Sequence, residues 1–131
     1  QNHIIRAAEE SIAYQSADLM GAMEKDTGIK IKTLKVDGGA SANNYLMQTM
    51  ADVSNVPVQA PSCVETTALG AAYLAGLAVG YWKSTDDVLQ NWSVDRTFTP
   101  NITPEERKKR VKGWNKAVRC AYHWAKDEED E

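Results

Sequence analysis

The sequence predicts an α/β domain in which helices pack on a small mixed sheet. Three observations carry that expectation. Segments of helical periodicity alternate with short apolar runs of strand type, in the order helix, strand, helix, strand, helix. Two adjacent glycines, Gly38 and Gly39, close the first strand-like run and precede a second helical pattern. The composition, 43% hydrophobic and 25% charged over 131 residues, is that of one globular domain able to bury a single core.

The opening NHIIRAAEESIAYQSADLMGAMEKDTG sets Ile5, Ala8, Ile12, Leu19 and Met23 on one helical face, with Asn2 as cap and Gly28 as stop. IKIKTLKVDGG alternates Ile31, Leu34 and Val36 imperfectly with lysines, which predicts a strand of about six residues. Ser41 is then placed to cap a helix through NNYLMQTMADV, where Leu46, Met47, Met50 and Val53 recur at helical spacing. VPVQAPS predicts a brief strand with Pro57 at an edge or at its start.

A small-residue helix follows from Thr66 or Thr67. Its apolar run ALGAAYLAGLAVGYW, residues 68–82, is shorter than the roughly 20 residues of a membrane span and rich in glycine, so it reads as a buried helix of a soluble core. STDD at 84–87 has capping-box spacing for a short helix, and SVDRTFTP reads as extended. TPEE at 103–106 opens the last helix, with Pro104 at its first position and Val111, Trp114, Val118 and Ala121 on a core stripe. The organisation expected is one domain over 1–126 and a solvated acidic tail over 127–131.

Charge and cysteine content narrow the function classes. A net charge of −3 without a basic stripe argues against nucleic acid as a partner, and ERKKR at 106–110 reads as a solvated helix face. Cys63 and Cys120 lack metal-ligand spacing and read as reduced, buried thiols in a cytoplasmic protein. His3 and His123 are far apart and the carboxylates form no distinctive pair, so no nucleophile, general base or metal site is assigned. The start at Gln1, without a signal peptide, reads as a fragment.

DGG is the one stretch with chemical promise. It falls at the carboxyl end of a strand, where α/β folds bind ligands; Gly38 and Gly39 can adopt positive φ and bare their N–H groups, beside a helix N-terminus of positive partial charge. That suits a phosphate or a nucleotide. The same pair would also serve as an ordinary turn, and it is neither GxGxxG nor a P-loop.

The run LKVDGGASANNYLMQTMADVSNVPVQAPSCVETTALGAAYLAGLAVGYW, with NHIIRAAEESIAYQSADLM before it and GWNKAVRCAYHW after, resembles the C-terminal part of the glycerol kinases, in the carbohydrate-kinase family with the actin-like ATPase fold. The resemblance covers nearly the whole chain. It implies part of the second actin-like (ribonuclease H-like) domain of an enzyme that transfers phosphate from ATP to glycerol, giving ADP and glycerol 3-phosphate, with magnesium. It implies nucleotide contacts at Gly39, through its backbone, and at Asn43, near the adenine; Gly38 supports the turn, and Glu65, Thr66 and Thr67 shape the surroundings. The family's catalytic aspartate, glycerol-binding residues and phosphate loops match nothing in this chain, so no catalytic residue is expected here.

Two other readings stay open: a pentulose or gluconate kinase of the same family, and a non-catalytic binding module of the same fold. A sugar-transport phosphocarrier regulates some glycerol kinases, but PNITPEERKKR offers no pattern that matches a docking site. Lacking the rest of its fold, the chain is expected to expose apolar surface on the small-residue helix and at Ile5, Ile12 and Leu19, to self-associate, and to bind ADP weakly.

Overall fold

The computed structural model describes residues 1–63, 65–90 and 94–122. The expected tail, His123 and Ser93 of the extended run lie outside the described residues. Helices α1 (Asn2–Thr27), α2 (Asn44–Ser54), α3 (Thr66–Ala78), α4 (Thr85–Leu89) and α5 (Pro104–Ala121) accompany strands β1 (Leu34–Lys35), β2 (Val58–Pro61) and β3 (Val94–Phe98). The sheet is mixed, in the order β1-β2-β3. β1 lies parallel to β2, with Leu34 opposite Val58, and β3 lies antiparallel to β2.

Helix α2 is the centre of the core. Its periodic residues Leu46, Met47, Met50 and Val53 are buried together with Ala51, Val58 of β2 and Ala13 of α1, and Tyr14, Ala17, Leu34, Val36 and Phe98 pack around them. Buried Asp52 accepts from Gln48 Nε2 at 2.9 Å and from the Asn101 N–H at 2.7 Å, tying α2 to the approach of α5. α5 is anchored by Trp114, which stacks on Tyr14 with ring centres 5.4 Å apart and donates from Nε1 to Asp18 Oδ2 at 2.6 Å. Its stripe is therefore only half-buried at Val111, Trp114 and Val118, and Ala121 is exposed.

Local capping chemistry follows the sequence in several places. Gly28 ends α1 in the left-handed region, Ser84 accepts from the Asp87 N–H ahead of α4, and Thr103 accepts from the Glu106 N–H with Pro104 opening α5. Asn2 does not cap α1; it is already helical, and Gln1 precedes it without a side-chain cap bond. β1 is two residues long, not about six. A strand extends only as far as its partner, and the Leu34 and Val36 N–H groups, bonded to Pro57 O and Gln59 O, take up what β2 offers. Pro57 stands just before β2, which is the central strand of the three.

The apolar helices divide the surface. α1 turns Ala13 and Met20 inward and leaves Ile5, Ile12, Leu19 and Met23 about half exposed or more. α3 was expected to be buried, yet none of its residues is. It is apolar on every side, and its cover among the described residues is partial: Trp82 lies against Gly76 and Tyr73, while Leu74 is 72% exposed. Cys63 and Cys120 are likewise exposed rather than buried. No helix among the described residues is long and apolar enough to cross a membrane.

Candidate functional site

Because β1 and β2 are parallel, their carboxyl ends lie at one edge of the sheet, and the segments leaving them meet there. Asp37 follows β1 and Thr66 opens α3 after β2; Thr66 Oγ1 donates to Asp37 Oδ2 at 2.6 Å. A carboxylate is thereby placed at the positive end of α3.

The glycine pair behaves asymmetrically. Gly38 has φ 78° and ψ 173°, a region open in practice to glycine alone, whereas Gly39 is not at positive φ and opens a 3₁₀ turn, Gly39–Ala42. Positive φ is thus needed at one of the two glycines, not both. Ser41 is buried inside the turn and does not cap α2: its N–H and its Oγ both donate to Gly38 O, at 3.0 and 2.7 Å. The turn is locked from within. Cβ atoms built at Gly38 and Gly39 would meet no described residue within 4 Å beyond their chain neighbours.

Asn43 takes the capping role expected of Ser41. Its Oδ1 accepts from the Leu46 N–H at 3.1 Å, and its Nδ2 donates to Glu9 Oε1 of α1 at 2.9 Å. An amide has a second N–H and a second lone pair, which leaves Asn43 capacity for one more partner on each atom. Next to it, Glu10 accepts from Tyr45 Oη at 2.6 Å and pairs with Arg6 at 2.7 Å. Partial burial opposes the Glu10 charge, but the hydrogen bonds from Tyr45 and Arg6 and the charges of Arg6 and Arg110 prevail, so its pKa falls below the usual carboxylate value. Burial and the Glu10 carboxylate push the Tyr45 hydroxyl the other way, up.

Two clefts flank the turn. One of about 320 Å³ is lined by Lys35, Asp37, Pro61, Thr66, Gly70 and Tyr73, and one of about 330 Å³ by Asn2, Ile5, Arg6, Glu9 and Tyr45. Residues 38–43 join Asp37 of the first to Asn43, whose amide meets Glu9 of the second. Gly38, Gly39 and Asn43 are thus brought to one edge with Thr66, while Glu65 and Thr67 are exposed and have no bond to the turn among those described. Sequence reasoning missed Arg96 of β3, which donates to Asn44 Oδ1 and to the Ser41 carbonyl. Among the described residues no group of three or more His, Cys, Asp or Glu is placed to hold a metal ion.

Residues 1–79 match the FGGY family of carbohydrate kinases, C-terminal domain. A glycerol kinase of Agathobacter rectalis is 61% identical over 126 residues, covering 96% of this chain and 25% of its own length. The chain thus spans about a quarter of the length of the curated relatives it matches. Among solved structures, Plasmodium falciparum glycerol kinase with ADP superposes with a TM-score of 0.78 at 36% identity, over 92% of this chain and 24% of that one. A xylulose kinase of Lactobacillus acidophilus superposes with a TM-score of 0.73 at 24% identity, over 92% and 24%, a likeness of fold alone. The mixed α/β architecture is accordingly part of the actin-like ATPase fold. With its domain match over more than half its length, the chain belongs to the FGGY family of carbohydrate kinases.

Proposed function

We propose that this chain supplies the nucleotide-binding C-terminal part of a glycerol kinase, an enzyme that moves the γ-phosphate of ATP to glycerol and releases ADP and glycerol 3-phosphate. The observation that carries the reading is the Gly38–Asn43 turn: it is locked by Ser41, open in front of both glycines among the described residues, and set at the carboxyl end of a parallel strand. The ADP in the P. falciparum relative's structure supports nucleotide as the ligand class. In this proposal the Gly39 backbone approaches the nucleotide, Gly38 makes the approach possible, and Asn43 uses its remaining amide capacity near the adenine. No residue here is assigned to the transfer step, which depends on charge stabilisation around the γ-phosphate. Magnesium would accompany the ATP, as the resemblance to the glycerol kinases implies.

Among superposed structures the glycerol kinase is 36% identical and the xylulose and gluconate kinases 24–26%, which, with the 61% identity to the A. rectalis glycerol kinase, favours glycerol over a pentulose or gluconate. In the same reading the protein works in the cytoplasm without a nucleic-acid partner, which a net charge of −3 without a basic stripe supports. The exposed face of Ile5, Ile12, Leu19 and Met23 drives self-association of the chain, which sedimentation at rising concentration tests.

A chimera tests the reading. Residues 1–126 replace the matching quarter of the A. rectalis enzyme, and the product is assayed with glycerol at varied ATP concentration. The chimera should transfer phosphate to glycerol, Gly39→Val in it should raise the KM for ATP and not that for glycerol, and the 131-residue chain alone transfers nothing. A folded but inactive chimera, a Gly39→Val chimera with an unchanged KM for ATP, or turnover by the isolated chain contradicts the proposal.

A further inference from the structure

We propose that Arg96 is a positioning residue for the nucleotide turn, holding residues 41–44 in place from a different strand; this rests on the nucleotide reading of Gly38–Asn43. Arg96 lies on β3, opposite Ala60, where the β2–β3 register shifts between Ala60 and Pro61. Pro61 has no N–H to give the ladder, and an irregularity of this kind re-aims the neighbouring side chains. From there Nη1 donates to Asn44 Oδ1 and Nη2 donates to the Ser41 carbonyl at 3.4 Å, so one guanidinium grips both sides of Asn43.

The base of the clamp is itself fixed. Arg96 Nε donates to Asp95 Oδ2 at 3.0 Å, and the guanidinium carbon stands 5.9 Å from the centre of the Phe98 ring, which packs against the core. Two acceptors at an angle suit the planar fork of arginine and not the single ammonium of lysine. The contacts span 52 and 55 residues of sequence, and Arg96 lies beyond residues 1–79, the part that matches the family domain. The turn's geometry therefore depends on a strand that the matched domain does not include.

The test is amide exchange and ADP titration, both followed by NMR on the 131-residue chain, for the wild type and for Arg96→Ala, Arg96→Lys and Asn44→Ala. Arg96→Ala should speed exchange of the Ser41 and Asn43 amides roughly tenfold, as expected for loss of hydrogen bonds from a charged donor, and leave the Leu34 amide of the sheet unchanged. ADP affinity should fall by a similar factor. Arg96→Lys should restore little of it, and adding Asn44→Ala to Arg96→Ala should cost nothing further. Equal acceleration at Leu34, or no change at Ser41 and Asn43, overturns the positioning role. If wild type responds to ADP and Arg96→Ala binds it equally well, the Arg96 proposal fails and the nucleotide reading stands; if wild type shows no response at 38–43, both fail.

Discussion

Asp37 and Thr66, 29 residues apart, are joined by a 2.6 Å hydrogen bond that couples the glycine turn to the first residue of α3. One side-chain bond thus links DGGASANN to ETTALGAAYLAGLAVGYW, two of the three segments that carry the resemblance. Asp37→Asn should remove the charge at the α3 N-terminus and weaken that helix by roughly 0.5–1 kcal/mol. Amide exchange of α3, set against that of α2, checks this. Equal protection of α3 in both proteins would show that the contact carries no energy.

The two glycines should respond differently to alanine. At Gly38 a side chain must adopt φ 78° with ψ 173°, so Gly38→Ala should destabilise the chain by about 1–3 kcal/mol. Gly39→Ala meets nothing within 4 Å and no positive φ, and should change stability by less than about 0.5 kcal/mol. Urea denaturation of both variants measures the difference, and equal losses would contradict the assignment of torsions.

How much of this was legible in the sequence depends on how local the cause is. The buried face of α2 follows from the spacing of Leu46, Met47, Met50 and Val53, and the caps at Ser84 and Thr103 need only the next three residues. The exchange of roles between Ser41 and Asn43 was not legible. Both are capping types, and a 3₁₀ turn inserted between strand and helix decides which one caps. The length of β1 depends on β2, and the reach of Arg96 depends on partners 52 and 55 residues away, so neither leaves a periodic signal. α3 misled for another reason: composition marks it as apolar, but burial requires a covering surface, and the described residues supply only part of one.

Gly76 is needed for packing. A Cβ there would fall on the indole ring of Trp82, which meets Tyr73 and Tyr81 edge-on with ring centres 5.2 and 4.8 Å away. Gly76→Ala should displace Trp82 and cost about 1–3 kcal/mol as overpacking. In a Trp82→Ala background the same substitution should instead stabilise α3 by roughly 0.5–1 kcal/mol, the helix preference of alanine over glycine. A shift of the Trp82 indole resonance, together with the double-mutant cycle, measures the coupling.

Acid should loosen the contact between α1 and α2. The Glu10 carboxyl titrates below its ordinary value of 4.5 in the folded chain, so the folded state holds fewer protons there than the unfolded one. Its contribution is full above that value and is lost as pH falls below it through the folded pKa. Glu10 is partly exposed, and the effect should stay under about 1 kcal/mol. Glu10→Gln should flatten this part of the stability–pH curve; an unchanged acid limb would contradict the role given to Tyr45 and Arg6.

The central claim, that residues 38–43 meet a nucleotide, is tested most directly by titrating the isotopically labelled 131-residue chain with ADP and reading its amide resonances. The account predicts weak binding, with Kd on the order of 1 mM or above, the largest shifts at Gly38, Gly39, Ala40 and Asn43, and loss of those shifts in Gly39→Val. Shifts centred instead on the cleft between Tyr14, Asp18 and Trp114, or a Gly39→Val chain that titrates like wild type, would contradict it.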